Sequence, residues 1–169
     1  MIARTLVVST AAVIFGILQS TLLPKIVPLN IVPDIALIIL VASSWRYGSL
    51  VGAMSGFIIG LGMDAMSLAP LGFHSFLLTL IGYLFGRMQD NIAPGSVFLP
   101  VLAALIATLL KYSGAFLLSL IFGLNSGAVR YFSLNSLWEL LVNMLLAPFV
   151  FLLVAAMARL SEGRRGGFH

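Results

Sequence analysis

Apolar runs of ten to twenty-five residues follow one another along this chain, and short connectors bearing proline, glycine or polar residues separate them. Few of the runs alternate polar and apolar positions, so they predict helices that are apolar all round rather than amphipathic ones. Thr5 to Leu23 is the first, long enough at about 1.5 Å per residue to cross a hydrocarbon core of roughly 30 Å. Gln19, Ser20 and Thr21 make its end polar, and Pro24, Pro28 and Pro33 keep the following connector non-helical. Ile35 to Ser44 is apolar but short, and even with its flanks it is marginal for a crossing. Trp45, Arg46 and Tyr47 close it as an interfacial anchor. Leu50 to Met66, Leu71 to Phe85, and Phe98 to Phe122 are the next spans, the last interrupted by Lys111. Ser136-x-x-Glu139 has the form of a capping box, which starts the final helix there and lets it run to about Ala158. The predicted fold is all-α: a polytopic membrane bundle of about six helices, one domain over residues 1–160, with a short tail over 161–169.

Composition agrees with this pattern. The chain has 169 residues, 61% hydrophobic and 8% charged, with a mean hydropathy of +1.15. A soluble domain carries about 25% charged residues. Cysteine is absent, which excludes disulfides, thiolate metal sites and a cysteine nucleophile. No P-loop, HExxH or paired-carboxylate motif occurs, so no cofactor or metal is expected. The net charge of +4 does not indicate nucleic-acid binding, because the basic residues are scattered or sit at helix ends. The MIAR start enters an apolar run without a cleavage site and reads as a retained first helix. With six spans, Arg4, Arg46, Arg87, Arg159, Arg164 and Arg165 share one side, and Lys25 and Arg130 the other. The positive-inside rule then places both termini in the cytoplasm. If Ile35 to Ser44 is re-entrant, five spans give the same charge bias. The Pro33-Asp34 pair, which resembles a helix start, favours six.

Three groups of residues are candidates for chemistry or contact. Gly52, Gly56 and Gly60 fall at a spacing of four, so they share one helix face on which a neighbour's backbone can approach closely. That face either packs inside the bundle or docks a partner's transmembrane helix, and Ala12 with Gly16 forms a second such pair. Asp64 ends the glycine helix, with Pro70 and Gly72 turning the chain after it. It can cap the turn, contact a partner or ligand, or relay protons, although no acidic or histidine chain continues inward. Lys111 lies near the middle of its span, where a lysine must face the protein interior or snorkel. A cluster of Lys111, Asn143 and Glu139 is expected, the alternative being a lysine satisfied by carbonyls and water. In the cluster reading Lys111→Glu is damaging, and Lys111→Met is mild. Ser55 and His74 permit an intramembrane serine-protease reading, but a serine in a glycine-rich helix and a histidine after a turn are ordinary.

The stretch from Val32 to Arg87 resembles the MreD family of bacterial rod shape-determining membrane proteins. The matching residues are Pro33-Asp34, Arg46-Tyr47-Gly48, Gly52, Gly56-Phe57, Gly60-Leu61, Asp64, Pro70-Leu71-Gly72 and Gly86-Arg87. The resemblance implies a non-enzymatic partner of the bitopic protein MreC in the inner membrane. It also implies a place in the cell-elongation machinery that links MreB filaments to RodA and its penicillin-binding transpeptidase. It further implies a fold similar to the substrate-binding subunits of energy-coupling-factor vitamin transporters. The competing function is such a subunit, which requires a polar, aromatic-lined cavity. Within the resemblance, the glycine face or the Asp64 to Gly72 tip is the expected contact with MreC, and Ala12 and Gly16 come next.

Overall fold

The computed structural model describes residues 10, 33–67, 69–88, 98–123 and 134–163, with side chains described as far as residue 159. Among them are five helices: α1 (Ile35–Tyr47), α2 (Ser49–Met66), α3 (Phe73–Arg87), α4 (Phe98–Ile121) and α5 (Leu134–Gly163). Three are long and apolar enough to cross a membrane: α2, α4, and α5 as far as Arg159. The span expected over Thr5 to Leu23, with Ala12 and Gly16, lies outside the described residues, as do Arg4, Lys25, Arg130, Arg164 and Arg165.

The short apolar run is the centre of the molecule. Helix α1 has 13 residues, about 20 Å of helix. Every residue from Ala36 to Ser44 is buried, and the helix touches all four others. Leu37, Leu40 and Val41 join Ile59 of α2, Leu77, Leu78, Ile81 and Phe85 of α3, and Ala103 and Ala107 of α4 in one apolar core. A helix surrounded in this way has no polar face to keep, which is why its run is apolar all round. At its other end Trp45 packs edge-on against Phe151 of α5, ring centroids 6.2 Å apart. Helix α5 is the opposite case. It is the least buried of the long helices, and Leu145, Phe149 and Leu152 face outward, as lipid contact requires.

Helices α1 and α2 are joined by one residue. Gly48 has φ 88°, a region that L side chains rarely adopt, so a glycine is needed for so abrupt a reversal. Helices α2 and α3 then run antiparallel in backbone contact. A Cβ on Gly52 would strike the carbonyl of Gly82, one on Gly56 the backbone of Leu78, and one on Gly60 the backbone of Ser75. Gly86 meets Ser49 in the same manner. Each of these glycines therefore replaces the side chain that would hold the two helices apart, the form of packing that favours helix association in lipid.

Two expected boundaries move. Helix α3 starts at Phe73 rather than Leu71, because Pro70, Leu71 and Gly72 form the turn, closed by Phe73 N–H donating to the Pro70 carbonyl at 3.1 Å. Helix α5 starts at Leu134 rather than Ser136. Ser136 is thus inside the first turn rather than at the helix start, and the Glu139 carboxylate reaches to Lys111 of α4.

The glycine contacts rank substitutions. Gly56→Ala pushes a methyl group into the main chain of α3, whereas Gly114→Ala meets only the flexible end of Leu77. Thermal unfolding in detergent is expected to show Gly56→Ala destabilised by about 1–3 kcal/mol, with Gly114→Ala clearly milder.

Candidate functional site

Beginning a 20 Å helix inside an apolar bundle leaves its first N–H groups without intrahelical partners. Asp34 and Asn143 answer this problem together. Asp34 is the N-cap of α1, and its Oδ1 accepts a hydrogen bond from the Leu37 N–H at 3.0 Å. The Asp34 N–H itself donates to Oδ1 of Asn143, 2.8 Å away on α5. Asn143 is fully buried, and its Nδ2 donates to Thr108 Oγ1 on α4 at 3.2 Å. The second carboxylate oxygen of Asp34 takes a 2.6 Å bond from Lys111 Nζ. The same ammonium reaches Glu139 Oε1 at 3.2 Å. Two helices, α4 and α5, thus converge on the start of a third, α1, through two carboxylates, one ammonium, one amide and one hydroxyl.

Lys111 lies roughly ten residues, or about 15 Å, from the nearer end of α4. At that depth an unpaired ammonium is strongly disfavoured. Asp34 is the tighter partner, and its side chain is only 5% exposed, against 21% for Glu139. The expected cluster of Lys111, Glu139 and Asn143 is therefore present with a different centre. Lys111 pairs with Glu139, but Asn143 bonds to the Asp34 backbone and to Thr108 rather than to the lysine. Asp34 is the residue that sequence reasoning missed at this site. Its signal was an acid capping an apolar run too short to cross, because such a helix end must lie at a depth where the acid needs a cation.

The hairpin tip holds the second polar centre. The Asp64 side chain is buried and accepts from the backbone N–H groups of Gly72 at 2.9 Å, His74 at 2.8 Å and Ser75 at 3.2 Å. Ser75 Oγ donates to it at 2.7 Å, and His74 Nδ1 stands 2.8 Å from Oδ1. A carboxylate only accepts, so Nδ1 carries the proton. Asp64 is the N-terminal cap of α3 supplied by the preceding helix, where Gly72 has no side chain to serve. Pro70 is half-buried at the same turn, and Leu71 is 82% exposed.

The remaining candidates are placed as follows. Gly52, Gly56 and Gly60 are filled from within by α3, which leaves no face there for another protein's helix. The docking alternative for that face is thereby corrected. Ser55 is fully buried with its hydroxyl unbonded, and the His74 ring is held by Asp64, so the two do not form a catalytic pair. Among the described residues no group of His, Asp and Glu side chains is placed to hold a metal ion.

The position of Asp34 changes the expectation for Lys111→Met. Removing the ammonium leaves a buried carboxylate without its cation, which is costly even when the new side chain packs well. Lys111→Met is expected to lose about 3–5 kcal/mol, and Lys111→Glu more, because a third carboxylate joins the first two. Thermal unfolding of the purified variants, with membrane abundance as a second reading, checks both values.

Comparison with known proteins gives a family match. The family model described as rod shape-determining protein MreD covers residues 2–157. No curated protein and no solved structure matches the chain. The family match takes in the glycine hairpin, the Asp64 cap and every member of the Asp34–Lys111 cluster, and on it the chain belongs to the MreD family of rod shape-determining membrane proteins.

Proposed function

We propose that the chain is a non-enzymatic scaffold and regulator of the cell-elongation complex in the bacterial inner membrane. In this reading it binds MreC directly and helps couple MreB filaments to peptidoglycan synthesis by RodA and its penicillin-binding transpeptidase. The observation that carries the proposal is the family match over residues 2–157. The polar chemistry supports it. The carboxylates of Asp34 and Asp64 are consumed by helix ends, and Lys111 by its two acids, so these groups serve the architecture. The scaffold is a bundle of about six spans with both termini cytoplasmic, supported by the gathering of Arg46, Arg87 and Arg159 at one end of their helices.

Expression in a rod-shaped host lacking its own MreD tests the reading. Restored rod shape, with MreC recovered alongside the purified protein, is the expected outcome. Round cells at normal protein abundance, with no MreC recovered, refute it. A reporter fused after His169 is expected to be active in its cytoplasmic form only, and activity confined to the periplasm contradicts the orientation.

A further inference from the structure

The hairpin of α2 and α3 is short for a membrane. Helix α3 has 15 residues, about 22 Å of helix, and α2 has 18, about 27 Å. One end of the pair is fixed. Gly86 lies against the backbone of Gly48 and Ser49, so Arg46 and Arg87 mark one level, at which basic side chains meet the membrane surface. Measured from that level, the turn between the helices falls several ångströms short of the far side of a core of roughly 30 Å. Helix α4, with 24 residues and about 36 Å, does not. The turn is also composed differently from the other connectors. Residues 24–33, 88–97 and 122–133 contain Lys25, Asp90 and Arg130 respectively, whereas residues 65–73 carry no charge. Met66, Leu71 and Phe76, at the turn and beside it, are each more than half exposed.

The backbone donors of this turn are met from within the hairpin. Ser67 N–H donates to the Asp64 carbonyl, Ala69 N–H to Ser67 Oγ and Phe73 N–H to the Pro70 carbonyl. Gly72, His74 and Ser75 donate theirs to the Asp64 carboxylate, and Pro70 has none to give. A turn in water has no need of such thorough pairing, but backbone in hydrocarbon does. We infer that the tip of the hairpin ends inside the hydrocarbon, on the side away from Arg46 and Arg87, with lipid acyl chains against Met66, Leu71 and Phe76. Asp64 then does for α3 what Asp34 does for α1: it finishes a helix end at a depth that water does not reach. The two acids differ in their partners, Lys111 for Asp34, and Ser75, His74 and backbone donors for Asp64. The termini keep their orientation, because both ends of the hairpin stay on the arginine side. No partner protein is required, but a partner that reaches the tip does so within the membrane and not from an aqueous domain.

The chain has no cysteine, so single reporters test this in the full-length protein. Leu71→Cys and Met66→Cys each place a fluorophore on the tip, at side chains that are already exposed. Phe57→Cys places one midway along the outer face of α2, and Phe122→Cys one just beyond the end of α4. Each labelled protein is reconstituted in vesicles of phosphatidylcholine and phosphatidylglycerol. Fluorescence is then quenched in turn by a nitroxide on the lipid acyl chain and by iodide present on both sides of the vesicle. The tip probes are expected to behave as the Phe57 probe does, with strong nitroxide quenching and iodide quenching several-fold weaker than at Phe122. Iodide quenching at either tip position equal to that at Phe122 overturns the inference and places the tip in water. Shielding of both tip positions from both quenchers overturns it as well, because protein rather than lipid then covers the tip. Either contrary result leaves the scaffold reading to its own test in cells.

Discussion

The bond between Lys111 and Asp34 is the constraint on which the rest of the bundle depends. An apolar helix of 13 residues cannot by itself reach from one side of a bilayer to the other, so one of its ends has to be finished inside the protein. Non-helical backbone is tolerated at such depth only where protein groups satisfy it. Asp34 finishes the end, Asn143 holds its N–H, and Lys111 neutralises the acid that results. The polar residues interrupting α4 and α5 are thereby explained by a third helix. They convert two lipid-facing spans into walls that recognise the end of α1. Glu139, on the outer margin, is the more exposed of the two acids that hold Lys111.

The second constraint is the glycine hairpin, and it works by subtraction. Helices α2 and α3 meet backbone to backbone because Gly52, Gly82, Gly60 and Gly86 place nothing between them. Asp64 then fixes the pair at its far end by gathering the N-terminal donors of α3. The two devices are complementary. The glycines let the helices approach, and the carboxylate sets the register at the tip. Both occur within one hairpin against which α1 packs, so the ionic end of α1 and the capped end of α3 share one apolar core.

Much of this architecture was legible in the sequence. The apolar runs mark the helices to within a few residues, since lipid and core demand the same composition. The glycine spacing shows a smooth face, and Lys111 stands out because a lysine at that depth is rarely without purpose. The sequence does not show which face meets which. Gly52 and Gly56 read as internal packing with a dock for another protein as the alternative, and only the structure puts Gly82 and Leu78 against them. Glu139 reads as half of a capping box because its local spacing fits, although its carboxylate is engaged 28 positions away in sequence. Asp34 is concealed for the same reason: its local role as a cap is complete, and its pairing with Lys111 spans 77 positions. Local patterns identify helix ends, but long-range ion pairs follow from packing that no window of sequence contains.

A double-mutant cycle across this pair tests the central claim most directly. Asparagine at position 34 still caps a helix, and methionine at position 111 still fills apolar space, so Asp34→Asn and Lys111→Met remove the charges with little change of shape. If the bond holds the end of α1 in place, the double variant unfolds at a higher temperature than Lys111→Met alone, with a coupling energy of about 1 kcal/mol or more. Strictly additive effects, with the double variant less stable than either single one, contradict the account.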